Sequence, residues 1–123
     1  MTGQELYERA VAVSERAYAP YSRYNVGAVV QARDGTLIEG VNVENAAYPL
    51  GVCAERTALS SAIVRGYRPG DLEAIGITAS PCGGCRQWLH EFKLERVTFL
   101  NAAGEIVTYS PRELLPDTWD LPE

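Results

Sequence analysis

A chain of 123 residues is long enough for one domain and too short for two. Its composition, 46% hydrophobic and 22% charged, is that of an ordinary globular protein. The net charge of −5 argues against nucleic acid or anionic lipid as a partner, because phosphate recognition needs clustered Lys and Arg, and here they are scattered.

The apolar runs are too short to span a membrane. The polar start, Met1-Thr2-Gly3-Gln4-Glu5, lacks the basic-then-apolar layout of a signal peptide. Three cysteines are an odd count that suits no disulfide framework, and a reducing cytoplasm is the expected location. The whole of 1–123 is expected to form a single domain.

Thr2 and Glu5 fit a capping box that opens a first helix. Leu6, Ala10, Val13 and Ala17 give it a core-facing stripe, and Pro20 is expected to stop it. A polar, aromatic loop follows, Tyr21 to Asn25. Strands over Val26–Ala32 and Thr36 to about Val43 flank the turn signal Asp34-Gly35 and predict an antiparallel hairpin. Alternation places Asn42 and Glu44 on one face, where a solvated strand end is the plain reading.

A second helix is expected over Val52–Val64, with Cys53 in its first turn and Gly66 as its stop. A third strand over Leu72–Thr78 leads through Ala79-Ser80 to a third helix starting near Gly83. Strands Arg96–Leu100 and Ile106–Tyr109 flank a short turn and should pair antiparallel. Pro111–Leu115 forms a further helical turn, and a tail begins at Pro116. The order α-β-β-α-β-α-β-β predicts an α/β fold in three layers, a mixed five-stranded sheet with helices on both faces.

Cys53, Cys82 and Cys85 are the three cysteines, and both ligand segments fall at helix starts. The helix dipole favours thiolates there. Three thiolates and one Zn²⁺ carry a net negative charge, and Arg56 and Arg86 are the nearest cations in the sequence. Glu55 stands where a carboxylate could serve an open metal position, although a glutamate in a first helical turn is also an ordinary complement to the dipole. Inert buried thiols remain an alternative for Cys53. A redox pair remains one for C-G-G-C, though it leaves Cys53 and Glu55 without roles. His90 lies on another face of the third helix and is not a ligand.

Cys53-Ala54-Glu55 followed by Pro81-Cys82-Gly83-Gly84-Cys85 resembles the general zinc-deaminase signature. Pro20-Tyr21-Ser22-Arg23-Tyr24-Asn25-Val26-Gly27-Ala28, Val41 to Ala46, Tyr48-Pro49 and Leu114-Leu115-Pro116 are similar to segments of the small cytidine deaminases that act on free nucleosides. The similarity runs from about Leu6 to Leu121. It implies hydrolytic deamination of cytidine and 2′-deoxycytidine to the uridines, in pyrimidine salvage. One zinc is bound by Cys53, Cys82 and Cys85, with a water on the fourth position as nucleophile and Glu55 as proton shuttle.

The resemblance further implies that Ala54 contacts the pyrimidine through its backbone and that Asn42 and Glu44 hold the ribose. Tyr24 replaces the family's usual Phe beside the base, and Arg56, one of the two nearby cations, is expected from the charge balance alone to compensate the thiolates. Ala46, Tyr48 and Trp119, the last in place of a C-terminal Phe, reach a neighbouring subunit's site in a homotetramer. The Ala79-Ser80 connection is shorter than the family's usual one. Competing readings are a deaminase for another aminopyrimidine, a nucleic-acid deaminase, and a structural zinc module, which would want a fourth protein ligand.

Overall fold

The computed structural model describes residues 1–122. Its elements are α1 (Gly3–Ser14), β1 (Gly27–Ala32), β2 (Leu37–Val41), a 3-10 turn (Tyr48–Leu50), α2 (Ala54–Val64), β3 (Leu72–Ile77), α3 (Gly83–Glu91), β4 (Arg96–Leu100), β5 (Ile106–Tyr109) and α4 (Pro111–Leu114). One five-stranded sheet runs in the order β2-β1-β3-β4-β5. Only the β3–β4 pair is parallel, because only there does a helix, α3, carry the chain back between neighbours. The other three pairs are antiparallel.

Alternation along β1 divides the core in two. Ala28, Val30 and Ala32 point to the face covered by α2 and α3, where Leu59, Leu89, Ile75, Ile77 and Val97 are fully buried. Val29 points the other way and packs with Ala74 against Leu6, Ala10 and Val13 of α1. Each fully buried Leu or Ile contributes about 1.5–3 kcal/mol relative to exposure. The three layers expected from the element order are therefore present.

The capping box on α1 is formed: Glu5 N donates to Thr2 Oγ1, and Thr2 N donates to Glu5 Oε1. The helix nevertheless stops at Ser14, well before Pro20, and Ala17 lies outside it, half-buried. The cause is non-local. Tyr18 N donates to Asn42 O at 3.1 Å and Glu44 N donates to Tyr18 O at 2.8 Å, so the chain after Glu15 is drawn out to pair with the segment beyond β2. The same segment explains two other shifts. Val43 and Val52 exchange both backbone hydrogen bonds, at 3.0 and 2.9 Å. This holds residue 52 extended, so α2 begins at Ala54, and Cys53 is its N-cap instead of a first-turn residue.

The chain beyond Pro116 is docked on α3. His90 Nε2 lies 2.8 Å from Asp120 Oδ1 and 3.1 Å from Thr118 Oγ1, and Gln87 Nε2 donates to Trp119 O at 3.5 Å. His90, excluded as a ligand, thus anchors the segment that carries Trp119. His90→Ala is expected to raise amide exchange severalfold in residues 117–121 while leaving α3 unchanged, as the loss of about 1 kcal/mol of hydrogen bonding implies. Unchanged exchange in that segment would refute the anchor.

Candidate active site

Two helix starts meet at one place. Cys53 is the N-cap of α2, Cys82 is the N-cap of α3, and Cys85 lies in the first turn of α3. Their sulfurs all lie within 4.8 Å of one another, and Cys53 Sγ and Cys82 Sγ are 4.0 Å apart. Tetrahedral zinc with bonds of about 2.3 Å requires sulfurs about 3.8 Å apart. The donor set therefore fits zinc in both chemistry and spacing. It leaves a fourth position open, because no other His, Cys, Asp or Glu among the described residues joins the group.

The electrostatics point the same way. Burial pushes the Cys53 and Cys85 thiols up from the ordinary cysteine value. Burial also raises Cys82, but the Cys85 N–H, 3.4 Å from its sulfur, and the neighbouring thiols outweigh that and bring it down. Desolvation thus favours the neutral thiol at half-buried Cys53 and buried Cys85 but not at exposed Cys82, and a divalent metal is what would let all three ionise together. Arg56 Nη2 is 3.9 Å from Cys82 Sγ, and its Nε is buried with no hydrogen-bond partner. The guanidinium has been drawn to the thiols at the expense of an ordinary hydrogen bond.

Arg86, the other cation named from the sequence, is used differently. It donates to Pro81 O at 2.9 Å, Leu114 O at 3.0 Å and Ser80 Oγ at 3.2 Å. It ties the cysteine loop to α4 and does not touch the sulfurs.

Glu55 is only 4% exposed, although it carries a carboxylate. Burial raises its carboxyl above the usual range, and hydrogen bonds from its own N–H and Cys85 oppose this only in part. It lines a cleft of about 280 Å³ together with Tyr24, Asn42, Glu44, Cys53 and Ala54. Ala79 and Ser80 form one wall, so the short connection before Pro81 shapes the cleft directly.

Asn42 and Glu44 lie past the end of β2, yet both reach the cleft, because the Val43–Val52 bridge keeps the chain extended. Asn42 Oδ1 accepts from Val26 N at 2.8 Å, and Nδ2 donates to Tyr24 O at 2.8 Å. One amide hydrogen remains for a ligand. Glu44 accepts from Tyr21 N, Ser22 N and the Ser22 hydroxyl. The hydrogen bonds from Ser22 hold its carboxyl below the usual range.

Tyr24 stands at the mouth, 62% exposed. Tyr48 is more open still; its ring meets that of Tyr21 edge-on at 6.2 Å and also borders this chain's own cleft. Ala46 and Trp119 are exposed and do not line that cleft. Sequence reasoning missed Ser22 as the partner of Glu44. Its one signal was its position two residues before Tyr24 in the polar loop.

Residues 1–101 match the family described as cytidine and deoxycytidylate deaminase zinc-binding region. The chain is 43% identical to a cytidine deaminase of Halalkalibacterium halodurans over 124 aligned positions, covering 94% of this chain and 92% of that one. Among solved structures, a cytidine deaminase from Burkholderia pseudomallei superposes with a TM-score of 0.89 at 44% identity, over 97% of this chain and all of that one. One from Mycobacterium tuberculosis superposes with a TM-score of 0.83 at 31% identity, over 98% and 99% of the two chains. A three-thiol zinc site at two helix starts, matched across nearly the full length of these relatives, places the chain in the cytidine deaminase family.

Proposed function

We propose that this protein hydrolyses the C4 amino group of cytidine and 2′-deoxycytidine, giving the uridines and ammonia, as a step of pyrimidine salvage in the cytoplasm. The observation that carries this reading is a buried carboxylate, Glu55, in the same cleft as the three-thiol site and the Asn42–Glu44 pair.

Cys53, Cys82 and Cys85 hold one zinc, which supplies a Lewis acid able to activate a water. Glu55 accepts a proton from the attacking water and gives it to the pyrimidine N3, then passes the remaining hydroxyl proton to the departing amino group, which leaves as ammonia while C4 becomes the carbonyl. Burial holds the carboxylate in the cleft beside the sulfurs, out of bulk solvent, which suits it to these transfers. The backbone at Ala54 meets the pyrimidine, and Tyr24 covers it at the mouth. Asn42 offers its free amide hydrogen to the sugar, and Glu44 accepts a sugar hydroxyl. Arg56 offsets the negative charge of the thiolates.

A single chain leaves the mouth open, with Tyr48 at its rim 76% exposed, and it carries a second bare ring away from the cleft in Trp119, 65% exposed. Burying these rings against a second copy would close the mouth, and a homotetramer in which Ala46, Tyr48 and Trp119 border a neighbour's cleft is the assembly proposed.

The purified protein is expected to contain one zinc per chain, to sediment as four chains, and to convert cytidine in a continuous absorbance assay. Dialysis against a chelator should abolish turnover, and added zinc should restore it. Zinc present with no deamination of any pyrimidine nucleoside would overturn the proposal in favour of a structural zinc module.

A further inference from the structure

Glu44 is held by its own chain on both oxygens. Oε1 accepts Tyr21 N at 3.0 Å and Ser22 N at 3.1 Å, which uses both of its lone pairs. Oε2 accepts the Ser22 hydroxyl. Ser22 Oγ in turn accepts Tyr24 N at 3.0 Å, and Tyr24 O accepts Asn42 Nδ2 at 2.8 Å. The loop between Tyr21 and Val26 is therefore stitched to Glu44 at one end and to Asn42 at the other. Arg23, between Ser22 and Tyr24, sits at φ +60°, a left-handed conformation that a non-glycine residue keeps only when its surroundings enforce it.

We infer that Ser22 is a positioning residue for the sugar: its hydroxyl fixes the plane of the Glu44 carboxylate and leaves Oε2 one lone pair aimed at a ligand hydroxyl. The inference rests on the assignment of Asn42 and Glu44 to the ribose. The two backbone donors both engage Oε1, so without the serine nothing in the loop holds the second oxygen. The Ser22 hydroxyl has one hydrogen, spent on Glu44, and it accepts from Tyr24. It makes no claim on the substrate and acts through its neighbours. A carboxylate fixed in this way is acceptor-only. It selects a hydroxyl that donates and repels an anion such as a phosphate ester. The same serine links the residue over the base, Tyr24, to the residue under the sugar.

The test pairs a protein deletion with a substrate deletion. On cytidine, Ser22→Ala is expected to raise KM roughly ten- to hundredfold with kcat changed less than about twofold, as loss of one hydrogen bond to a charged group implies. On 2′,3′-dideoxycytidine, which has no ring hydroxyls for Glu44 to read, the same substitution should raise KM by less than about twofold. Ser22→Thr, which keeps the hydroxyl, should recover most of the cytidine KM. An equal penalty on both nucleosides, or a loss confined to kcat, would overturn the role of Ser22 while leaving the ribose assignment intact. A parent enzyme with the same KM for both nucleosides would overturn the ribose assignment, and this inference with it.

Discussion

Glu55→Gln is expected to lower kcat on the order of 10³-fold, with zinc content unchanged and KM altered little. Glutamine has the shape of glutamate, so it fills the same buried position, where only 4% of the residue is exposed. It cannot accept a proton and then release it. Burial also keeps bulk water from substituting, and among the described residues the other carboxylate lining the cleft, Glu44, is pinned to the loop at Tyr21 and Ser22.

The metal should stay because all three thiols come from other residues, and their seats at the two helix starts do not depend on the carboxylate. The loss of a first-turn negative charge should cost less than about 1 kcal/mol of stability. The measurement is steady-state kinetics beside metal analysis on the same preparation. A glutamine variant within tenfold of the parent rate would remove Glu55 from the chemistry. A variant depleted of zinc would show instead that the carboxylate supports the metal site.

The elements whose limits were legible in the sequence are those set by local chemistry. Arg96–Leu100 and Ile106–Tyr109 have the strand limits read from their β-branched residues and the Asn101–Gly104 turn between them. The Thr2–Glu5 capping box opens α1 as read. The far end of α1 was not legible, because Tyr18 leaves the helix to pair with residues 42 and 44, a partnership between segments more than twenty positions apart. Cys53 shifted from first turn to N-cap for the same reason, through the Val43–Val52 pairing. That shift favours the site: an N-cap side chain lies over the open helix end, where the free N–H groups are, and so faces the equivalent end of α3.

The metal ligands were legible through the resemblance of Cys53-Ala54-Glu55 and Pro81-Cys82-Gly83-Gly84-Cys85 to the zinc-deaminase signature; the residues alone left inert thiols and a redox pair open, and the gathering of all three sulfurs within 4.8 Å favours the metal. Alternation also placed Asn42 and Glu44 on one face, although β2 itself ends at Val41. What holds these two side chains was not legible. Their partners are mostly backbone groups of the loop between Tyr21 and Val26, and residue type carries no record of backbone hydrogen bonding. The docking of residues 118–120 on α3 was missed for a related reason. It depends on His90 and Gln87 facing a segment 28 to 32 residues away, which reads from its sequence as a tail.

Gly40→Ala and Gly76→Ala should each destabilise the fold on the order of 3 kcal/mol, yet only Gly40→Ala should weaken zinc binding. Gly40 lies in β2 under α2. A Cβ there would fall 2.4 Å from Ala58 N and 2.5 Å from Ala54 O. Gly76 lies in β3 under α1, and a Cβ there would fall 2.4 Å from the carbonyl carbon of Leu6 and 2.6 Å from its oxygen. In both places the obstacle is helix backbone, which has no rotamer to change, so the helix as a whole must lift from the sheet. The stability cost should appear in both variants as a fall in Tm of about 10 °C or more. The consequences for the site differ because the helices differ. Ala54 is the first residue of α2, flanked by Cys53 and Glu55, so lifting this turn moves one sulfur away from Cys82 and Cys85 on α3. The α1 helix carries none of the ligands and packs on the opposite face of the sheet. Competition with a chromogenic chelator should show zinc affinity at least tenfold weaker in Gly40→Ala and unchanged in Gly76→Ala. Equal affinity in the two variants would mean that the metal itself holds the sulfurs together, whatever the seat of α2 on the sheet.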